Sequence, residues 1–280
     1  MKLLRFGEAG REKPGLLDKD GYIRDLSSKL KDFSGDALSP DGLKRLASIN
    51  PSELPRMPAG VRLGPPVASP SKFVAIGLNY ADHATESAMP LPSEPIIFLK
   101  AVTAMCGPDD AIEKPRGSTK LDWEVELGVV IGTRAKYVEE ADAISHVAGY
   151  CIGNDVSERH FQIQRQGQWT KGKSHDTFGP LGPWLVTSDE IPDPHALNMW
   201  LDVNGERQQT GSTSTMIFKI PKLISYVSQF MTLLPGDVMI TGTPPGVGSG
   251  KKPPRFLNVG DIVTLGIDGL GTQRQQIVAA

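Results

Sequence analysis

The sequence has few cysteines and no hydrophobic stretch long enough to cross a membrane. Cys106 and Cys151 stand alone in the chain. This excludes a Cys-x-x-Cys zinc site, a c-type haem attachment site and a disulfide framework. Even the apolar stretch 95–107 is interrupted by Lys100, and the first residues lack the apolar core of a signal peptide. We therefore expect a cytoplasmic protein with no membrane association.

The chain also lacks an excess of positive charge. It has 30 lysines and arginines against 32 aspartates and glutamates, and aromatic residues make up 6%. Such a balance offers no basic surface field, so we expect no nucleic-acid partner. Glycine and proline are abundant instead, with 30 and 23 residues among 280. Their frequency indicates many short elements and tight turns, and it excludes a helical bundle or coiled coil.

Hydrophobic spacing and proline content divide the chain into two predicted units. Residues 1–62 form a small N-terminal α+β unit, and residues 72–280 form a larger, β-rich α+β unit. The proline-rich stretch 50–72 lies at their boundary. In the larger unit, alternating or continuous apolar residues predict strands over 73–78, 95–101, 123–131 and 147–154. Helices are predicted over 80–88 and 221–233, and Asn204-Gly205 predicts a hairpin turn.

Two glutamates stand close together on one predicted strand. The alternation places Trp123, Val125 and Leu127 on the core face, and Glu124 and Glu126 on the opposite face. Two carboxylates at this spacing repel each other unless a cation or a proton lies between them. A hard divalent cation fits the spacing, whereas a solvated strand edge with independent carboxylates is the alternative.

A third acidic residue favours the cation. Asp155 follows the apolar run that ends at Asn154, so a loop can turn it into the same cleft as Glu124 and Glu126. Three carboxylates without cysteine or a histidine cluster favour Mg²⁺ or Mn²⁺ over zinc.

Two further groups carry candidate chemistry. His83 and Glu86 share one face of a short predicted helix, and a carboxylate beside imidazole suits a general base that activates water. A surface pair without a catalytic role is the alternative. Lys171 and Lys173 stand in a glycine-containing loop, where one of them could bind a substrate carboxylate or a developing enolate, or the loop is simply exposed.

Four short motifs, in this order and spacing, make the chain similar to the fumarylacetoacetate hydrolase family from about residue 73 to its end. The motifs are 79–83 (NYADH), 122–127 (DWEVEL), 154–159 (NDVSER) and 241–244 (TGTP). The resemblance implies a distorted β-roll or barrel domain, a homodimer, and a Mg²⁺ ion, with Mn²⁺ or Ca²⁺ as alternatives, in the mouth of that domain.

The resemblance also implies roles for particular residues. Those that match metal ligands of the family are Glu124, Glu126 and Asp155. Those that match its catalytic group are His83 and Glu86, on a lid helix that closes over substrate, and Lys173. Those that match pocket positions are Arg159, Gln162 and Thr243. One position departs from fumarylacetoacetate hydrolase itself, since Asn79 and Tyr80 stand where that enzyme carries a further aspartate ligand.

This departure makes the chain more similar to the acylpyruvate hydrolase branch of the family. The implied reaction is Mg²⁺-dependent hydrolysis of a C–C bond in a 2,4-dioxo acid, giving pyruvate and a carboxylic acid. The implied substrates are an acylpyruvate or a 2,4-diketo-3-deoxy sugar acid. Alternatives at the same site are oxaloacetate decarboxylation, hydration or isomerisation of a 2-oxo-enoate, and ureidoglycolate lyase activity. A member without catalysis, in which the ion only ties strands together, is the alternative of a different class.

Overall fold

The fold is a mixed α/β arrangement dominated by strands. The computed structural model describes residues 1–86 and 90–280, with residues 83–85 described as backbone only. Its strands are β1 (Lys2–Phe6), β2 (Lys13–Leu17), β3 (Ile23–Asp25), β4 (Leu63–Gly64), β5 (Phe73–Gly77), β6 (Ile96–Lys100), β7 (Met105–Cys106), β8 (Ile112–Lys114), β9 (Leu121–Asp122), β10 (Val125–Ile131), β11 (Val147–Asn154), β12 (Ser157–Glu158), β13 (Gly179–Thr187), β14 (Asn198–Val203), β15 (Glu206–Ser212), β16 (Val238–Ile240), β17 (Ile262–Ile267) and β18 (Gly271–Ala279).

The helices are few and short. The α-helices are α1 (Pro40–Ala47), α2 (Ala81–Glu86), α3 (Thr170–Lys173) and α4 (Ile220–Phe230), and one π-helical turn covers His160–Gln164. The 3-10 turns are Gly35–Leu38, Pro51–Glu53, Val102–Ala104, Glu140–His146, Ser188–Glu190, Thr213–Thr215 and Gly248–Gly250. In the described part of the chain, no helix is long and apolar enough to span a bilayer.

The strands form two main open sheets. An 11-stranded sheet has the order β3-β2-β1-β13-β11-β10-β16-β5-β6, with β4 paired to β1 and β7 paired to β13. A 5-stranded sheet has the order β15-β14-β17-β18-β8. Strands β9 and β12 pair separately beside the start of β10. Within residues 1–86 and 90–280 neither sheet closes on itself, so the expected strand-rich fold is confirmed and takes an open rather than a barrel form.

Alternation along β10 divides the core into two layers. Val125, Leu127, Val129 and Ile131 lie in the larger hydrophobic cluster, whereas Val130 lies in the second cluster on the opposite face. This is the two-residue period of a strand with side chains on both faces. The predicted core face of this strand is therefore buried in the larger hydrophobic cluster. The opposite face begins with Glu124 and Glu126.

Local signals account for several element boundaries. The side chain of Ser39 accepts a hydrogen bond from the backbone N–H of Gly42 at the start of α1, as expected for an N-cap residue before proline. Asn204 and Gly205 have φ values of 54° and 79° and connect β14 to β15, which is the predicted hairpin. Helix α4 ends at Phe230, earlier than predicted, because Leu233 forms an antiparallel bridge with Ala135.

The N-terminal residues extend the large sheet. Strand β1 pairs with β13, matching Lys2 to Val186 and Leu3 to Leu185, and β2 and β3 follow at the edge. The proposed division into units 1–62 and 72–280 stays a prediction.

Candidate metal centre and active-site pocket

The end of the β10–β11 ladder brings three acidic side chains together. Val125 pairs with Asn154, and the backbone N–H of Asp155 donates to the carbonyl of Glu124 at 2.9 Å. Glu126 is one residue into β10 on the same face as Glu124. Each of the three carboxylates offers an oxygen, and these oxygens lie within 4.8 Å of one another. The antiparallel register thus joins residues that are about thirty positions apart in sequence.

The three carboxylates are buried and electrostatically unequal. Burial and the charges of Asp155 and Glu124 raise the pKa of Glu126 well above its usual range. Burial also opposes ionisation of Glu124, but Lys173 and Arg159 outweigh it and lower the pKa of Glu124 to about 2. Glu126 is hydrogen-bonded by the backbone N–H of Gly242 at 2.7 Å. A cation between the carboxylates would relieve the repulsion that Glu126 experiences.

Lys173 bridges two of the acids. Its Nζ donates to Glu124 Oε2 at 2.9 Å and to Asp155 Oδ2 at 2.6 Å. Although burial lowers the pKa of Lys173, Asp155 and Glu124 raise it further, so the net shift is upward. Lys173 therefore stays a cation at neutral pH. Lys171, the other lysine of the predicted loop, is exposed.

A second buried lysine, Lys100, was not predicted as a site residue. Its Nζ donates to Asp155 Oδ1 at 2.5 Å, and it is only 2% exposed. Burial lowers the pKa of Lys100 more than the contact with Asp155 raises it. The sequence pattern could have indicated this role, because a lysine ends the apolar strand Ile96–Lys100. A lysine that is buried at such a position needs a charged partner.

Asp122 holds Arg159 in place and was also missed. Asp122 is fully buried and accepts from Arg159 Nε at 2.8 Å. It also accepts from the backbone N–H groups of Gly248 and Ser249, at 2.7 and 2.9 Å. Arg159 in turn donates to Glu124 Oε1 at 2.6 Å. Asp122 therefore ties the 3-10 turn Gly248–Gly250 to an arginine of the candidate site.

The charges of the cluster fit a divalent cation. Three cations, Lys100, Lys173 and Arg159, lie among four carboxylates, those of Asp122, Glu124, Glu126 and Asp155. With every group ionised the cluster carries one net negative charge, and a divalent cation would convert it to one net positive charge. All-oxygen ligands suit Mg²⁺, Mn²⁺ or Ca²⁺. The residues present therefore fit such an ion, held by Glu124, Glu126 and Asp155.

The predicted pocket residues line one cavity with two of the three acids, Glu124 and Glu126. The cavity has a volume of about 390 Å³, and its polar side chains are those of Glu124, Glu126, Arg159, Gln162, Lys173, Thr243 and Ser249. Gln162 Oε1 accepts from Arg159 at 3.1 Å. The hydroxyl of Thr243 donates to the Val125 carbonyl and accepts from Gln209, so it holds the backbone of β10.

The predicted His83–Glu86 pair is only partly described. Helix α2 carries both residues, but the side chain of His83 lies outside the described residues. The carboxylate of Glu86 accepts from the backbone N–H of Gly246, at 3.1 and 3.0 Å for its two oxygens. Helix α2 is thus attached, through Glu86, to the loop that Asp122 holds at Gly248.

Asn79 has a structural position and is not a cation ligand. Its side-chain amide donates to the carbonyls of Phe218 and Thr241, at 3.0 and 2.8 Å, and its oxygen accepts from the Phe218 N–H. These bonds use the side chain to join the segment after β5 to two other segments.

Comparison with known proteins shows the family of the chain. The sequence profile of the fumarylacetoacetate (FAA) hydrolase C-terminal family matches residues 72–278. A Burkholderia ambifaria protein that carries only the general name of hydrolase is 59% identical over 276 residues, which cover 98% of each chain. The chain therefore belongs to the fumarylacetoacetate hydrolase family, and its fold matches that of solved family structures.

The solved structures include both hydrolases and isomerases. Maleylpyruvate hydrolase from Sphingobium sp. SYK-6, in complex with manganese(II) and pyruvate, is 30% identical with a TM-score of 0.83, and the match covers 100% of both chains. The 5-carboxymethyl-2-hydroxymuconate delta-isomerase from Mycobacterium smegmatis is 35% identical with a TM-score of 0.81, again over 100% of both chains. The family therefore uses this fold for more than one reaction.

Proposed function

We propose that the protein is a divalent-cation-dependent hydrolase that cleaves the C3–C4 bond of a 2,4-dioxo acid, releasing pyruvate and a carboxylic acid. The proposal rests on the convergence of three buried carboxylates, Glu124, Glu126 and Asp155, beside Lys173. Glu124, Glu126 and Lys173 line the inner end of a cavity. The pyruvate and manganese(II) of the maleylpyruvate hydrolase structure support it, because that protein is similar over its whole length.

The charge of the site supports an anionic substrate. When bound, a divalent cation, Mg²⁺ in our proposal, supplies a Lewis acid for the carboxylate and 2-keto oxygens of the substrate and for the negative charge released with the pyruvate fragment. Arg159 and Lys173 lie on the same cavity wall and add positive charge near that end. Gln162 is fixed by Arg159, and Thr243 holds β10, so both keep the inner wall in shape.

Hydrolysis would begin with the activation of a water molecule. His83, oriented by Glu86, takes a proton from a water molecule whose oxygen attacks the C4 carbonyl. The C3–C4 bond then breaks and its electron pair goes to the pyruvate fragment. C3 of that fragment takes up the proton that His83 removed from the water, which regenerates the neutral imidazole. Lys173, a cation close to Glu124 and Asp155, stabilises the negative charge of the fragment. Closure of helix α2 over the pocket would exclude bulk water during these steps.

Pyruvate release tests the proposal directly. Purified protein is incubated with a panel of 2,4-dioxo acids, with Mg²⁺ or Mn²⁺ added or with EDTA, and pyruvate is measured with a coupled dehydrogenase. We expect turnover with either ion and none with EDTA. Glu126→Gln should lower kcat/KM by at least 100-fold, whereas Glu140→Gln, on an exposed 3-10 turn, should not change it. Absence of pyruvate from every substrate with either ion contradicts the proposal.

The His83→Ala variant separates the alternatives when pyruvate release is measured together with the absorbance of a 2-oxo-enoate, because isomerisation and hydration release no pyruvate. His83→Ala should abolish hydrolysis while 2-oxo acids still bind. Retained isomerisation of a 2-oxo-enoate or decarboxylation of oxaloacetate by this variant would favour an isomerase or a decarboxylase, since neither reaction needs an attacking water. A hydratase does consume a water molecule and is recognised by its hydrated product. The isomerase among the similar structures makes isomerisation the second candidate. If EDTA unfolds the protein and no 2-oxo acid is ever turned over, the ion has only a structural role.

The family resemblance also supports a homodimer. Light scattering coupled to size-exclusion chromatography measures the mass of the particle in solution. A mass of twice the 30.2 kDa chain supports the dimer, and a single-chain mass at micromolar concentration contradicts it.

A further inference from the structure

The cavity has two chemically different ends. Its inner, buried end carries Glu124, Glu126, Lys173 and Arg159. Gln162, Thr243 and Ser249 also line the cavity. The apolar part of its wall comes from five separate segments of the chain. Its residues are Ile76, Leu78, Ile96, Phe98, Ile163, Trp169 and Val247. A substrate whose 2-oxo acid end lies at the acids places its acyl group along this apolar wall.

The charged side chains of the wall already have partners. The cations among the described lining residues are Arg159 and Lys173. Arg159 is paired with Asp122 and Glu124, and Lys173 with Glu124 and Asp155. On the described part of the outer wall no basic side chain remains for a second carboxylate. A carboxylate placed there would lose its hydration without gaining a partner, which is costly.

Two aromatic rings shape the apolar end. Phe98 and Trp169 lie edge to face with ring centroids 5.2 Å apart, a favourable geometry for aromatic pairs. Trp169 lies directly on the backbone of Gly77, because a Cβ at that glycine would come within 2.7 Å of the indole ring. Phe98 reaches inwards as well, since Lys173 Nζ lies 5.2 Å from its ring centroid. The glycine thus allows an indole ring to form part of the wall.

Leu78 is held in a backbone conformation that leucine disfavours. Its φ is +48°, in the left-handed region where asparagine and glycine are far more frequent. A leucine at such a position costs conformational free energy. Leu78 lines the cavity, and residues in such conformations cluster at functional sites.

We propose that the acyl group of the substrate is an apolar alkyl or aryl group, selected by Leu78, Phe98 and Trp169. The inference rests on the proposed function and narrows its substrate class. A second carboxylate or a polyhydroxylated chain, as in a 2,4-diketo-3-deoxy sugar acid, meets a wall that offers it few partners. The cavity volume of about 390 Å³ lies within the range of small-molecule sites.

Relative kcat/KM values test the proposal. Pentanoylpyruvate and benzoylpyruvate are compared with fumarylpyruvate and a 2,4-diketo-3-deoxy sugar acid, all with saturating Mg²⁺. We expect kcat/KM to be at least about tenfold higher for the first two, which is the discrimination that small apolar differences give in such pockets. Equal or faster turnover of the dicarboxylate or the sugar acid overturns this inference and leaves the proposed function intact. No pyruvate from any of the four overturns both.

A substitution at Leu78 links the preference to the wall. Leu78→Asn keeps a residue that tolerates the positive φ, so the melting temperature should not fall. The ratio of kcat/KM for pentanoylpyruvate to that for acetylpyruvate should fall about tenfold. Leu234→Asn makes the same chemical change on the surface, where Leu234 is 39% exposed, and should leave the ratio unchanged. An unchanged ratio in Leu78→Asn overturns the role of this wall.

A second variant covers the aromatic pair. Trp169→Ala removes the indole ring above Gly77 and should lower the same ratio about tenfold or more. The far-ultraviolet circular dichroism spectrum reports whether the variant is folded. A folded variant with the wild-type ratio contradicts the assignment of Trp169.

Discussion

Replacing Asp122 by asparagine tests how the candidate site is held together. Asp122 is fully buried and accepts four hydrogen bonds, from Arg159 and from the backbone N–H groups of Trp123, Gly248 and Ser249. Asparagine has nearly the same shape, but it carries no charge and one of its two oxygens becomes an N–H donor. Arg159 would keep Glu124 and lose its other ion-pair partner.

The expected cost follows from these contacts. A hydrogen bond to a charged group contributes about 1.5–3 kcal/mol, and removing one partner of a buried ion pair costs about 3–5 kcal/mol. Because Glu124 still compensates part of the Arg159 charge, we expect a loss of about 3 kcal/mol in the free energy of unfolding. For a chain of this size this corresponds to a fall in Tm of roughly 5–10 °C. Displacement of Arg159 should also lower kcat/KM by about 100-fold.

Urea denaturation and a double-mutant cycle provide the measurement. Asp122→Asn, Arg159→Gln and the double variant are compared with wild type. The double variant contains neither buried charge. Its loss of unfolding free energy should therefore be smaller than the sum of the two single losses by about 1.5 kcal/mol or more. Asp20→Asn, the same change in an exposed turn, should stay within about 0.5 kcal/mol of wild type. Full additivity, or a loss below about 1 kcal/mol for Asp122→Asn, would refute the reasoning.

Three further predictions concern the ion, a loop and the thiols. Mn²⁺ at about 100 times its Kd should stabilise the protein by about 2.7 kcal/mol. The stabilisation is measured as a rise in Tm, which Glu126→Gln should remove. An equal rise in that variant would exclude Glu126 as a ligand. Gly246→Ala should lower the free energy of unfolding by at least about 2 kcal/mol. The reason is that φ of Gly246 is +104° and the new Cβ would lie 2.0 Å from the Gln208 carbonyl oxygen. A variant with the urea stability of the wild type would contradict this. Burial raises the pKa of Cys151 to about 12 and that of Cys106 above its usual range, so the thiolate needed for reaction forms only well above neutral pH. Ellman's reagent at pH 8 should label neither thiol before unfolding, and rapid labelling of the native protein would be the opposite result.

Local sequence patterns determined most of the secondary structure. The apolar run Val147–Asn154 forms β11 with the predicted bounds, and Asn204-Gly205 forms the predicted hairpin turn. These features depend on side-chain alternation and on backbone preferences of single residues, which act over a few positions. The end of α4 was misplaced because Leu233 pairs with Ala135, a contact nearly a hundred residues away in the chain.

The acidic triad was also predictable, because its members stand at strand ends. Glu124 and Glu126 share a face by alternation. Asp155 follows β11, and because β11 runs antiparallel to β10, the end of β11 lies beside the start of β10. Lys100 and Asp122 were not predicted as parts of the site. Their partners are 55 and 37 residues away, so only the pairing of separate strands shows that their charges meet.

The amino-acid sequence by itself determined the elements, the family and the acids that converge on one edge, since each is encoded in short patterns. Only the tertiary structure decided which cations those acids face and how the cavity is lined. The apolar wall joins the β5 region, β6, the π-helical turn His160–Gln164, the residue before α3 and the loop at Val247, with Leu78 and Trp169 about ninety positions apart. Burial and charge pairing between such distant residues arise from packing, and packing is specified by the whole chain at once.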